Sequence, residues 1–139
     1  MKYVLDVCVA LKWLLKEADS DKADDLRDKF RLQVHDLLAP DTFLTEAAHA
    51  LTRAERKKIL VPGEAEILFS DLLTTLPHLH SAASLLSRAI QLSSKLRIGV
   101  FDCLYVALAE REKCGVVTAD SRLVSAAKGH QVVLLANLP

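Results

Sequence analysis

The sequence predicts an α/β fold, a three-layer α/β/α sandwich around a central, mainly parallel sheet of four to five strands. Short apolar, β-branched segments alternate with longer segments in which apolar residues recur at helical spacing. Strands separated by helices form parallel sheets that are covered on both faces. The chain has 139 residues, 51% of them hydrophobic, with only 4 glycines and 4 prolines. Its size and composition predict one globular domain over residues 1–139.

The first half of the chain contains two predicted strands. The segment KYVLD is β-branched and aromatic up to its carboxylate, and VHDLLAP stops at a proline. Helices are indicated by apolar residues near a spacing of 3.6 and by cap or proline signals at their starts. We predict strands at 2–6 and 34–40, and helices at 9–16, from Ser20 to about 34, from 41 or 42 to about 58, and from 62 to 77.

The second half alternates helices with short strands. HLHS is a connection or a short strand, the stretch IGVF interrupts the helical pattern, and GVVT and QVVLL are typical strands. We predict helices at 82–96, 102–113 and 119–128, and strands at 115–118 and 131–135. The resulting order is strand, helices, strand, helices, strand, helix, strand, which favours a parallel sheet.

The charge balance excludes an overall field that draws the protein to nucleic acids or anionic membranes. The chain carries 18 Lys and Arg residues and 18 Asp and Glu residues, so any such binding must come from local patches. Its apolar stretches are far shorter than the about 20 residues needed to span a bilayer. Three cysteines, without paired metal-site spacing, predict reduced thiols and a cytoplasmic location.

Four carboxylates occupy unusual positions. Asp6 ends the first strand and Asp120 follows GVVT, so both belong to the carboxyl edge of the sheet, where such folds bind ligands. Asp102 lies on a helix that is apolar nearly all round, and Glu46 borders an apolar helical stripe. Each also has an ordinary interpretation, because aspartates cap helices and a glutamate is usually solvated.

Together these acids indicate a cation site. Two unit charges about 4 Å apart repel by roughly 4 kcal/mol at an effective dielectric near 20. Three or four carboxylates in one pocket therefore require a cation. Since all the donors are oxygens, Mg²⁺ or Mn²⁺ fits better than zinc. The chemistry this suggests is metal-assisted hydrolysis of a phosphodiester.

The segments VLDVCVALKWL, PDTFLTEAAHAL, VFDCLYVALAER and VVTADSRLV resemble, in order and spacing, the four acidic motifs of PIN-domain proteins. The specific resemblance is to the VapC-like toxin ribonucleases of type II toxin-antitoxin systems, and it covers nearly the whole chain. It implies a PIN-like fold and an endoribonuclease that uses Mg²⁺ or Mn²⁺. It also implies an RNA substrate, a homodimer and inhibition by a cognate VapB-like antitoxin.

Matched by position, the resemblance implies that Asp6, Glu46, Asp102 and Asp120 are the catalytic and metal-binding acids. Asp6 and Asp102 are the most direct ligands, Glu46 ligates directly or through water, and Asp120 holds a second ion or an ordered water. Thr118 matches a small hydroxyl residue before the last acid, and its hydroxyl is expected to bond a ligand carboxylate.

Two residues depart from the pattern of the family. Relatives often have Ser at the position of Cys8, which neighbours the site, and Asn at that of His49. These departures keep open a second reading, a catalytically weak PIN domain that binds RNA or a protein. A third reading, a phosphotransfer receiver or a haloacid-dehalogenase-like phosphatase, is disfavoured. The phosphatase signature needs a second aspartate where this chain has Cys8, and no glycine-rich phosphate loop is present.

A candidate path for RNA leads away from Glu46. His49, Arg53 and Lys57 follow it on successive turns of one helix face, and cations next to a metal site suit a phosphate backbone. The alternative is an ordinary solvated face. The Trp and both Tyr residues lie in apolar contexts, so the sequence predicts no exposed platform on which bases stack.

Overall fold

The computed structural model describes all 139 residues and contains one five-stranded sheet. Its strands are β1 (Lys2–Leu5), β2 (Asp36–Pro40), β3 (His78–His80), β4 (Gly115–Thr118) and β5 (Val132–Leu134). The spatial order is β3-β2-β1-β4-β5, and every neighbouring pair is parallel. The predicted fold class is confirmed, and the sheet is entirely rather than mainly parallel.

Helices cover both faces of the sheet. They are α1 (Val7–Leu14), α2 (Ser20–Arg31), α3 (Phe43–Arg56), α4 (Glu64–Leu73), α5 (Leu86–Leu96), α6 (Val100–Glu112) and α7 (Ser121–Ala126). Helix α6 packs on α5 and across β1, β2 and β4, whereas α1 packs with α2, α3 and α4. None of these helices is long and apolar enough to cross a membrane.

The central strands are buried because helices pack on both of their faces. Val4 and Leu5 of β1 and Val116 and Val117 of β4 have no exposed surface, as expected for parallel strands between two helical layers. Helix α6 is buried from Cys103 to Ala109, which confirms the prediction that it is apolar nearly all round.

Several helix bounds differ from the predictions. Helix α1 begins at Val7 rather than at residue 9, because Asp6 occupies its N-cap. Helix α6 begins at Val100, after the Gly99 N-cap, so Val100 and Phe101 of IGVF are helical and only residues 97–99 separate α5 from α6. A 3-10 turn at Ala83–Leu85 precedes α5 where we predicted continuous helix. Cap geometry and packing against the sheet override local propensity at these ends.

Candidate functional site

The chain order of the strands reverses between β1 and β4. From β1 the chain proceeds to β2 and β3 on one side, and then returns to add β4 and β5 on the other. Ligands of open parallel sheets bind at such a switch point, outside the carboxyl ends of the strands. Asp6 follows β1 directly and Asp120 follows β4 by two residues, so both predicted acids belong to this edge.

Asp6 is buried at the end of β1, with 5% of its surface exposed. Its backbone amide donates to the Val117 carbonyl at 3.0 Å, which extends the ladder between β1 and β4 by one bond. Its Oδ2 accepts a 2.8 Å hydrogen bond from the Thr118 hydroxyl. Its Oδ1 accepts only a 3.4 Å contact from the backbone N–H of Cys8, at the first turn of α1. The predicted capping role is therefore present, but that bond is long.

The Asp6 carboxylate is short of donors for its charge. An ionised carboxylate has about four acceptor sites, and Asp6 has one good hydrogen bond and no cationic side chain in contact with it. Burial raises its pKa, Asp120 adds to the rise, and the bonds from Thr118 and Cys8 oppose it. A buried carboxylate in this condition takes up a proton or binds a cation.

Glu46 lies in the first turn of α3 and is hydrogen-bonded to α6. The Tyr105 hydroxyl donates a hydrogen bond of 3.2 Å to Glu46 Oε1, so Glu46 is not the freely solvated residue of the ordinary interpretation. Burial raises the pKa of Glu46 to about 7, Asp6 and Asp102 add to the rise, and the nearby hydroxyls of Thr42 and Tyr105 oppose it. Burial raises the pKa of Tyr105 far above its usual range, so its phenol remains a proton donor.

Asp102 and Asp120 complete the set of acids. Asp102 is half-buried in the first turn of α6, whose N-cap is Gly99, so it does not cap the helix. Burial raises its pKa, Asp6 and Asp120 add to the rise, and Arg122 opposes it. Asp120 does cap α7, accepting a 2.9 Å bond from the Arg122 backbone N–H. The exposed Arg122 guanidinium also contacts Asp120 Oδ1 at 3.3 Å.

The four predicted acids are thus linked electrostatically, but they are not closed around a common point. Asp6 raises the pKa of both Glu46 and Asp102, and Asp120 raises that of Asp6 and Asp102. No three His, Cys, Asp or Glu side chains stand close enough together to hold a metal ion in this structure. The donor set itself, all carboxylate oxygen with one undersatisfied buried acid, fits Mg²⁺ or Mn²⁺.

Thr118 and Cys8 lie beside Asp6. The Thr118 hydroxyl is fully buried, donates to Asp6 and accepts a 3.0 Å bond from the Asp120 backbone N–H. The Cys8 sulfur accepts a 3.3 Å bond from the Ala119 backbone N–H and lies 3.5 Å from the Thr118 hydroxyl. These bonds hold the turn after β4 against the start of α1. Burial and the neighbouring Asp6 raise the pKa of Cys8 to about 12.

The predicted basic face of α3 is solvent-exposed. His49, Arg53 and Lys57 are all exposed, and Arg53 and Lys57 form no ion pair in the structure. Phe101, which precedes Asp102, is 56% exposed. An exposed aromatic side chain therefore precedes Asp102 on α6, whereas the sequence prediction of no exposed stacking platform concerns only Trp and Tyr.

Three residues of the site were missed by sequence reasoning. The sequence pattern predicts only an apolar helical context for Tyr105 and an interruption between helices at Phe101, and it gives Arg122 no role. The sequence does contain a signal for Arg122, because a cation two residues after Asp120 is close enough to contact its carboxylate. The contact between Tyr105 and Glu46 carried none, since it joins residues 59 positions apart.

Comparisons with known proteins identify the relatives of the chain. The family model described as PIN domain matches residues 3–129, while no curated protein matches the sequence. The structure is similar to VapBC2 from Rickettsia felis, solved bound to a DNA fragment from its promoter (TM-score 0.68, 15% identity, 96% of this chain and 97% of that one). It is also similar to FitAcB from Neisseria gonorrhoeae (TM-score 0.67, 17% identity, 99% and 100%). A toxin-antitoxin complex from Klebsiella pneumoniae matches as well (TM-score 0.64, 12% identity, 96% and 97%).

Proposed function

Because the chain belongs to the PIN-domain family, we propose that it is a metal-dependent endoribonuclease and the toxin of a VapBC-like toxin-antitoxin pair. The observation that carries this proposal is the buried Asp6 carboxylate, which has one short hydrogen bond and is electrostatically linked to three further acids. A purely structural carboxylate is normally paired or fully hydrogen-bonded.

In this proposal the acids hold Mg²⁺ or Mn²⁺. Asp6 and Asp102 are the direct ligands, Glu46 ligates directly or through water, and Asp120 holds a second ion or an ordered water. When bound, the metal lowers the pKa of an attacking water and neutralises charge on the phosphate. The protein's own part is to present the carboxylates in ionised form, and Thr118 does so for Asp6 by donating to its Oδ2.

The RNA backbone lies along α3 in this proposal. Two exposed, unpaired cations, Arg53 and Lys57, lead away from Glu46 together with His49, and unpaired cations bind phosphates by releasing counterions. The exposed ring of Phe101 beside Asp102 provides a face on which an unpaired base stacks. Both features suit a single-stranded segment of RNA.

Partners and location follow from the same proposal. The structural relatives include toxin-antitoxin assemblies, which supports a VapB-like antitoxin as partner. We also propose that residues 1–139 act as one domain, that the protein forms a homodimer, and that it works in the cytoplasm. Co-expression with the protein encoded next to it, followed by measurement of the mass of the purified species, tests both associations.

The decisive experiment measures cleavage of mixed RNAs with Mg²⁺, Mn²⁺ or a chelator. Asp6→Asn and Asp102→Asn are compared with wild type and with Glu66→Gln, a control that neutralises an exposed acid on α4. We expect metal-dependent cleavage by wild type and by the control, and its loss in both aspartate variants. Cleavage that survives the chelator, or is equal in all four proteins, would contradict the proposed mechanism.

The open arrangement of the acids favours one alternative, a catalytically weak PIN domain that binds RNA or a protein. Cys8 and His49, which replace the common Ser and Asn, point the same way. The cleavage experiment, combined with a filter or gel-shift assay, separates the two functions. An RNA-binding module retains RNA in that assay but cleaves none of it with any metal.

A further inference from the structure

Tyr105 connects two of the acidic elements. It lies on α6, three residues after Asp102, and has no exposed surface. From there its hydroxyl reaches Glu46 Oε1 on α3, at 3.2 Å. The hydroxyl therefore links α6, the helix that carries Asp102, to Glu46 on α3.

The hydroxyl is not needed for packing. Core aromatic rings are stabilised by burial, and a buried hydroxyl lowers stability unless it has a partner. The side-chain partner of Tyr105 is Glu46, and the neutral phenol is the donor in this bond. A hydroxyl that donates to a carboxylate oxygen restricts the rotamer of that side chain. A carboxylate held in one orientation is preorganised to bind a cation.

We propose that Tyr105 is a positioning residue that holds the Glu46 carboxylate in the metal site, next to Asp6 and Asp102. The assignment rests on the proposed function, because it takes Glu46 to be a metal ligand. Its consequence is that the hydroxyl of Tyr105, acting through Glu46, raises the affinity of the site for a divalent ion.

The test is a double-mutant cycle on Mn²⁺ binding, measured by titration with electron paramagnetic resonance in the absence of RNA. The proteins are wild type, Tyr105→Phe, Glu46→Gln and the double variant. We expect Tyr105→Phe to weaken Mn²⁺ binding by about threefold to tenfold in wild type. When Tyr105→Phe is made in the Glu46→Gln variant, we expect Mn²⁺ binding to be no weaker than in Glu46→Gln alone.

The control is Tyr3→Phe, since Tyr3 is the other tyrosine and its hydroxyl contacts only the Met1 sulfur. Unchanged Mn²⁺ affinity in Tyr105→Phe overturns the proposal, as does equal weakening in both backgrounds. If Tyr105→Phe does not fold, Glu46→Asp tests the bond from its other end. Its shorter side chain retains the charge but withdraws from the hydroxyl, and wild-type affinity in this variant overturns the proposal.

RNA cleavage by wild type is measured separately. If Tyr105→Phe weakens Mn²⁺ binding only when Glu46 is present and the wild type cleaves no RNA, the role of Tyr105 is supported and the proposed nuclease function is rejected. If wild type cleaves RNA but the effects of Tyr105→Phe and Glu46→Gln on Mn²⁺ affinity are additive, the role of Tyr105 is rejected and the nuclease function is retained.

Discussion

The Thr118 hydroxyl donates a 2.8 Å hydrogen bond to Asp6 Oδ2, although the two residues are 112 positions apart in the chain. Both side chains are buried, and the same hydroxyl accepts a bond from the Asp120 backbone N–H. This one side chain therefore joins the ends of β1 and β4 at the point where the acids lie.

Replacing Thr118 by Val retains its shape and removes that bond. We expect a loss of about 1–3 kcal/mol in the free energy of unfolding, because a buried carboxylate then lacks its best donor. Urea denaturation at neutral pH in a chelator measures the loss. Thr118→Ser keeps the hydroxyl and is expected to lose less. A Val variant as stable as wild type would contradict the importance of the bond.

Asp6→Asn is expected to have opposite effects with and without metal. In the metal-free protein it removes a buried charge that Asp120 repels, so the variant is as stable as wild type or more stable. With Mn²⁺ at 100 times its Kd, wild type gains about 2.7 kcal/mol and the variant does not. Thermal unfolding in chelator and in Mn²⁺ measures both effects, and an equal Mn²⁺ shift in the two proteins would exclude Asp6 as a ligand.

The raised pKa of Glu46 predicts how the free energy of unfolding of the metal-free protein depends on pH. Burial raises the pKa of Glu46 from its ordinary 4.5 to about 7 in the fold, so the folded state holds the proton more tightly than the unfolded chain. The contribution of the protonated Glu46 carboxyl to the free energy of unfolding is complete below about pH 4.5 and is lost as pH rises to about 7. Glu46→Gln is expected to make the decline shallower, and the exposed control Glu66→Gln is not. Urea unfolding between pH 4.5 and 8 in chelator measures the slopes, and identical slopes would refute the prediction.

The basic face of α3 predicts the salt dependence of RNA binding. Changing Arg53 and Lys57 together to Ala removes two phosphate contacts, so the slope of log K against log salt falls by about 1.4 for single-stranded RNA. The control pair is Lys2 and Lys29, since Lys2 begins β1 and Lys29 lines a cavity with Met1 at the opposite end of the sheet. The slope is measured by fluorescence anisotropy, and an unchanged slope in the α3 variant would remove the proposed path.

Cys8 is expected to be an unreactive thiol. Burial and Asp6 raise its pKa to about 12, so it stays protonated at pH 8, and the thiolate is the reactive form. Native protein treated with iodoacetamide at pH 8 should show little modification of Cys8 by mass spectrometry, while protein unfolded in urea is modified quickly. Rapid labelling in the native state would show that the thiol is open to solvent and ionised.

Much of the fold was predictable because its signals are local. Short apolar strands such as VVT of β4 and amphipathic helices such as α3 carry periodic patterns that the structure confirms. The start of α6 was not predictable in this way, since β-branched Val100 disfavours a helix locally and tertiary packing overrides that preference.

The candidate site was predictable in part. The rule that parallel strands end at a common edge places Asp6 and Asp120 at one edge from the sequence alone. The family resemblance predicts that the Thr118 hydroxyl bonds one of the acids, as it does with Asp6. No sequence signal reveals that Tyr105 bridges α6 to α3, because that contact depends on rotamers and on the packing of layers that are distant in sequence.

The place of β1 in the sheet also affects when the site forms during synthesis. β1 is made before the other four strands of the sheet, yet one of its two neighbours, β4, begins only at Gly115. A nascent chain that has not yet delivered β4 from the ribosome lacks the Thr118 donor and Asp120. The carboxylates therefore come together only after residues 115–120 have left the ribosome, and a product terminated before Gly115 lacks an assembled site.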